Sequence, residues 1–291
     1  MAYVDPILRF ISRVLISTVY QLVAIFGFIF IFGLLLYLIS RSTRKAFANS
    51  GFGKLDIYLT GWIGTPVHET GHAVFCLLFG HRITELKLFA PNRSDGTLGY
   101  VNHSFNAKSY YQRVGNFFIG TGPILFGAFL LYVLLYFCLP NFNEISGLIS
   151  ANGINGAGIF ELMKSLGDVM TFGMELTGKV FAIPNLSEFT FWLFIYLSFC
   201  ISSHMQLSLA DIKSMWSGFW AILVLFLSGN FLAQLFGFDL TAYIFHLSRL
   251  LSTVIGIFIL AILISFINLM ATYVVLALVY YKKHRRLLPV L

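Results

Sequence analysis

Charge is scarce in this sequence. Only 11% of its 291 residues are Asp, Glu, Lys or Arg, against about a quarter in an ordinary soluble domain. The three cysteines, Cys76, Cys138 and Cys200, are dispersed and form no CxxC pair, which excludes a disulfide framework or a cysteine-based zinc ribbon. Basic residues exceed acids by seven, yet they form no continuous patch interleaved with aromatics. They cluster at the ends of apolar runs, as in Arg41, Arg44 and Lys45 or Lys282, Lys283, Arg285 and Arg286. That distribution signals membrane orientation beside anionic lipid and argues against a nucleic-acid partner.

Apolar sequence is what the chain has in abundance. It is 58% hydrophobic with 32 Phe, and its mean hydropathy is +0.84. A chain of this composition uses the lipid bilayer as its solvent. Apolar runs predict about six transmembrane helices, near residues 14–40, 59–79, 117–139, 189–203, 215–236 and 251–281. The first run is too long for a signal peptide and is expected to remain in the mature protein. The expected fold is an all-α membrane protein forming a single membrane-embedded domain over residues 1–291.

Between the second and third runs the period changes from helical to alternating. Residues 83–89 and 99–105 alternate in polarity, and turn residues Pro91 to Gly96 separate them, which predicts a β-hairpin. Further on, Glu161, Lys164, Asp168, Glu175 and Lys179 recur at helical spacing among apolar residues and predict an amphipathic helix at the membrane surface. Counting Lys and Arg puts the hairpin and the C-terminal tail in the cytoplasm, and six spans then put the N-terminus there too. The cluster Arg41, Arg44, Lys45 and Lys54 opposes this assignment, since it would fall outside.

The chemistry is concentrated at His68-Glu69-Thr70-Gly71-His72, inside the second apolar run. An ionisable residue at membrane depth costs about 2.5–3.5 kcal/mol on insertion scales, so three within five positions demand compensation. Residues i and i+4 share a helix face. Two imidazoles so placed can bind one Zn²⁺, with Glu69 as general base toward an attacking water. A catalytic zinc takes a third protein ligand. Two candidates stand near the end of the fourth run, Asp211 and, as the alternative, His204. Ser208-x-x-Asp211 also reads as a capping box at the start of the next helix. His81, His103, His246 and His284 fall in loops or tails, where solvated rings are expected.

The stretch from Pro66 through His68, Glu69 and His72, then Leu78-Phe-Gly80, the alternating hairpin and Gly122-Pro123, resembles the site-2 protease family of intramembrane zinc metalloproteases. The resemblance covers residues 59–215, a metalloprotease-like core preceded by the first span and followed by two C-terminal spans over 215–281. It implies that Asp211 is the third zinc ligand. It also implies that a membrane-protein substrate is cut within or beside its transmembrane segment, held in extended form by the hairpin at 83–105. The expected location is the plasma membrane. The chain departs from the family pattern at Phe126 and at 203–206, where the family has Asn and an Asn-x-x-Pro run, and at Ile212, where it has Gly. Those departures motivate a second reading, a non-proteolytic zinc-binding membrane protein that escorts client helices. A third is an ion or proton transporter using His68, Glu69 and His72 as a relay.

Overall fold

The computed structural model describes residues 4–92, 96–151, 166–241 and 248–289. Among these the architecture is helical apart from one small sheet. Helix α1 covers Val4–Asn49 and α2 covers Trp62–Leu78, with a short irregular helical lead over 53–61. The hairpin strands β1 (Arg82–Lys87) and β2 (Tyr100–Ser104) follow. Then come α3 (Tyr110–Cys138), α4 (Phe142–Ala151), α5 (Leu166–Val180), α6 (Phe189–Ser202), α7 (Leu209–Leu235) and α8 (Ser248–His284).

Four helices are long and apolar enough to cross a membrane, over Pro6–Asn49, Tyr110–Cys138, Leu209–Leu235 and Thr253–His284. Large apolar side chains on the outside, such as Phe137 at 73% and Phe189 at 79% exposure, suit lipid rather than water. The expected six full spans are not reached. Helix α2 has 17 residues and α6 has 14, which at about 1.5 Å per residue fall short of the roughly 30 Å hydrocarbon layer. Both pack against α3 and against each other.

The first helix departs from expectation in the other direction. Its apolar run was expected to end at residue 40 and give way to a basic loop, but the helix continues to Asn49. The sequence offers no Gly or Pro in that stretch, and Arg, Lys and Ala are good helix formers. Termination comes at Gly51, which takes a φ of 82° while the Phe52 N–H reaches back to the Phe47 carbonyl at 3.0 Å. Arg41, Arg44 and Lys45 are therefore helical side chains.

Helix α3 is the central element. It packs on α2, α6, α7 and α8, and Phe117, Ile124, Leu131 and Leu135 on it are fully buried. Phe26 of α1 meets Phe117 edge-on, and Phe32 stacks on Phe258 of α8. A buried polar cluster ties α1 to α7: the Asn230 amide donates to Thr18 Oγ1 at 2.9 Å and to Gln21 Oε1 at 2.8 Å. Such bonds serve as interhelical glue where water is excluded.

Glycine permits the closest approach in the core. A Cβ on Gly71 would meet the Gly122 carbonyl oxygen at 2.8 Å, and one on Gly122 would meet the Gly71 carbonyl oxygen at 2.7 Å. Helices α2 and α3 thus touch backbone to backbone at His72. The hairpin is antiparallel, pairing Arg82 with Ser104 and Lys87 with Tyr100, with an irregularity between Ile83 and Glu85. Helix α5 buries Phe172, Leu176 and Val180 in the main core and packs on α4 and α8. Lys179 pairs with Glu144 at 2.5 Å. Glu161 and Lys164 of the expected amphipathic helix lie outside the described residues.

Candidate metal centre

His68 and His72 lie one turn apart on α2 and present their Nε2 atoms to each other at 3.3 Å. Asp211, at the start of α7, completes the group. Its Oδ1 is 3.1 Å from His72 Nε2 and its Oδ2 is 3.6 Å from His68 Nε2. His72 and Asp211 are buried and His68 is partly buried. In a tetrahedral centre with bonds of about 2.0–2.1 Å, neighbouring ligand atoms stand about 3.3 Å apart. The observed triangle has that size, so the three side chains could hold a metal ion.

The rings are oriented by backbone carbonyls. His68 Nδ1 donates to the His204 carbonyl at 2.7 Å, and His72 Nδ1 donates to the Ile119 carbonyl at 2.7 Å. With the Nδ1 proton committed in each neutral ring, both Nε2 lone pairs point inward. Two lone pairs and a carboxylate then converge, an arrangement that a metal ion could satisfy, as could a proton taken up by one of the rings.

Each of those carbonyls is free for a reason visible in the chain. Within a helix the Ile119 carbonyl would accept from the N–H of residue 123, but residue 123 is proline and has none. Pro123 therefore releases the acceptor that fixes His72. Helix α6 ends at Ser202 and the chain turns away, leaving the His204 carbonyl outside any helical ladder. Asp211 is fixed by a capping box: Ser208 Oγ accepts from the Asp211 N–H at 3.1 Å, and Asp211 Oδ2 accepts from the Ser208 N–H at 2.7 Å. The cap and the carboxylate that faces the two imidazoles are one side chain.

His204 joins the site in another way than as a ligand. Its ring Nδ1 is 3.0 Å from the Cys200 carbonyl, and only its own carbonyl reaches His68. The ring sits where α2 has Gly64, since a Cβ there would meet its Nδ1 at 2.2 Å. Glu69 is buried and borders a cavity of about 610 Å³ together with His68. The returning segment of the hairpin closes over it: a Cβ on Gly99 would meet Glu69 Cγ at 2.8 Å. The hairpin expected as a substrate platform thus brings Gly96, Leu98 and Gly99 to the cavity that holds Glu69.

Two histidines expected to be solvated are not. His81 is 4% exposed, and its Nδ1 meets His103 Nδ1 at 3.0 Å while its Nε2 donates to the Gln112 carbonyl at 2.9 Å. The reason is that Gly80 and His81, between α2 and β1, are held against α3, where Gln112 bonds both and Gly115 leaves room for the ring. His284 is exposed beside Tyr280, and His246 lies outside the described residues. The three cysteines are free and buried.

Among the departures from the family pattern, Ile212 is 43% exposed, Phe126 is partly buried and Gln206 lines the cavity. The motif His68 to His72 announced the histidines, and Ser208-x-x-Asp211 announced the cap. The Ile119 carbonyl had a sequence signal too, Pro123 four residues on, though nothing local said what would fill the vacated bond.

Among the described residues the protein is therefore helical, with four helices long and apolar enough to cross a membrane and a His-His-Asp centre that could hold a metal. Comparison with known proteins finds no matching family model, no similar curated protein and no similar solved structure.

Proposed function

We propose that this chain is an intramembrane zinc metalloprotease that cuts a membrane-protein substrate within or next to its transmembrane segment. The observation that carries the reading is the placement of Glu69 on the cavity beside a donor triangle of tetrahedral size. Two imidazoles and one carboxylate form a donor set suited to zinc, whose catalytic sites take three protein ligands and leave one position open. When bound, Zn²⁺ supplies a Lewis acid that polarises the scissile carbonyl and acidifies water.

The chain's own residues do the rest. Glu69 takes a proton from water as the water oxygen bonds to the scissile carbonyl carbon. It returns that proton to the amide nitrogen as the C–N bond breaks, so the products are a carboxylic acid and an amine. The carbonyls of Ile119 and His204 hold the imidazole tautomers. Gly99 lets the hairpin approach Glu69, and the segment 96–99 offers backbone along which an extended peptide can add as a strand. In this reading α2 and α6 complete a six-span plan as short helices sheltered by the others. The hairpin and the C-terminal tail face the cytoplasm, and the bilayer is the plasma membrane.

The test compares wild type with Glu69→Gln by proteomics of membrane-protein fragments in cells and by metal analysis of the purified protein. General-base loss lowers turnover by about 10²–10⁴-fold, so fragments should vanish while zinc stays near one per chain. Identical fragments from both proteins would sink the reading. Zinc binding without any wild-type-specific fragment would favour the escort role instead.

A further inference from the structure

The basic cluster on α1 is not used by the mechanism above, and it faces the same cavity. Tyr37, Arg41, Arg44, Lys45 and Ala48 line one wall. Their spacing of four, three, one and three residues puts them on one helical face. His68 and Glu69 belong to the same lining, and Glu69 is the acid among the described lining residues. Three cations therefore meet one carboxylate, and that carboxylate is occupied with proton transfer.

Arg44 is held in place. With the Gln206 amide oxygen turned toward it, that oxygen accepts from Arg44 Nη1 at 2.8 Å and Nη2 at 2.5 Å. Gln206 belongs to the segment between α6 and α7 that also supplies the His204 carbonyl and the Ser208 cap. Asp56 lies near enough to Arg44 for their charges to attract, and its Oδ1 accepts from Thr60 Oγ1 at 3.0 Å. A guanidinium carries five N–H donors, so those left over by Gln206 remain to grip an anion, and a carboxylate matches their fork geometry.

We propose that Arg44, backed by Arg41 and Lys45, selects substrates carrying a carboxylate near the scissile bond, an Asp or Glu side chain or a free C-terminus. The inference rests on the protease reading of the site and adds the substrate's chemical class to it. A peptide carboxylate suits the cavity better than a lipid headgroup does. The hairpin residues Gly96, Leu98 and Gly99 line the same cavity as the cations and Glu69, so an extended chain lying along 96–99 enters the space that the cations border.

The experiment uses full-length Glu69→Gln protein in phosphatidylcholine nanodiscs, so that binding is read without cleavage. The probes are two sets of fluorescent apolar peptides, identical except for Asp or Asn at a scanned position. An Asp peptide should bind at least about 10-fold more tightly than its Asn twin at one or two adjacent positions, with the gap shrinking as salt rises. Arg44→Gln should abolish the gap with metal content retained, Arg44→Lys should keep part of it, and Arg44→Glu should shift preference to a Lys peptide. Equal binding of the two sets, no binding by either, or a gap indifferent to Arg44→Gln would each overturn the proposal. So would an Arg44-dependent site for short-chain phosphatidylglycerol with no Asp preference, which would assign the cations to lipid. Cleavage by the wild type is scored separately. If it fails while the Asp preference stands, the protease reading falls and carboxylate recognition survives.

Discussion

Two pairs of histidines lie close together in this molecule, and they end in opposite chemical states. In the hairpin, His81 and His103 approach to 3.0 Å between Nδ1 atoms. His81 Nε2 donates to the Gln112 carbonyl, so its Nδ1 is an acceptor and His103 supplies the proton. That pair is self-sufficient. On α2, His68 and His72 approach to 3.3 Å between Nε2 atoms, but both Nδ1 protons are committed to carbonyls. Two acceptors then face each other and a carboxylate. Proximity of imidazoles does not make a metal site. The partners of the remote nitrogens decide it, because they determine whether the facing lone pairs have a proton to share.

The largest effect expected from this contrast is on metal content. His68→Ala or His72→Ala should reduce bound zinc from about one per chain to near none. His81→Ala and His103→Ala should leave it intact. Asp211→Asn should also lose the metal with the helix preserved, since Asn caps about as well as Asp. Metal analysis with circular dichroism reads all five variants. Zinc retained in both α2 variants, or lost equally in the hairpin variants, would erase the distinction.

A smaller effect tests whether the carbonyl partner matters. Pro123→Ala restores an N–H four residues beyond Ile119, which competes with His72 Nδ1 for that carbonyl. Loss of an outer partner of a ligating histidine typically costs about 10–100-fold in metal affinity. Competition with a chelator should show a drop in that range with His68 and His72 still present. Unchanged affinity would mean that the orientation of His72 comes from packing alone.

The smallest effect concerns the hairpin pair and pH. Burial lowers the His81 pKa below its ordinary 6.5, and burial lowers that of His103 too, with the positive charge of neighbouring histidines adding to it. A histidine with a lowered folded pKa binds fewer protons folded than unfolded, so stability rises with pH there. The hairpin should be fully stable above about 6.5 and loosen as pH falls through that value toward the folded pKa. Hydrogen exchange of the β1 and β2 amides at pH 7.5 and 5.5 should show protection lost on the acid side. His103→Asn should flatten that dependence, and a profile unaffected by the substitution would remove the histidines from the account.

The elements most legible in the sequence are those governed by neighbours along the chain. The apolar runs locate α3, α7 and α8, the alternation locates the hairpin, and Ser208 with Asp211 marks the start of α7. The prolonged end of α1 is not marked by the apolar run, which stops near residue 40, although nothing there breaks a helix before Gly51. The basic face of α1 and the hairpin, assigned by charge counting to opposite sides of the membrane, border one cavity. Charge counting assumes that each cluster leaves the bilayer where its apolar run stops, and α1 does not end there.

By itself the sequence determined the solvent, the helices, and the two imidazoles with Glu69 between them, because composition and the i, i+4 spacing are local properties. Only the tertiary structure decided that Asp211 closes the donor triangle, that His204 contributes a carbonyl to His68, and that Arg44 and Glu69 line one cavity. The first two pairings join residues more than a hundred positions apart, and the third joins side chains of two separate helices. A hydrogen bond or a metal site is set by separations of a few ångströms in space, and separation along the chain carries no such information once the helices have packed.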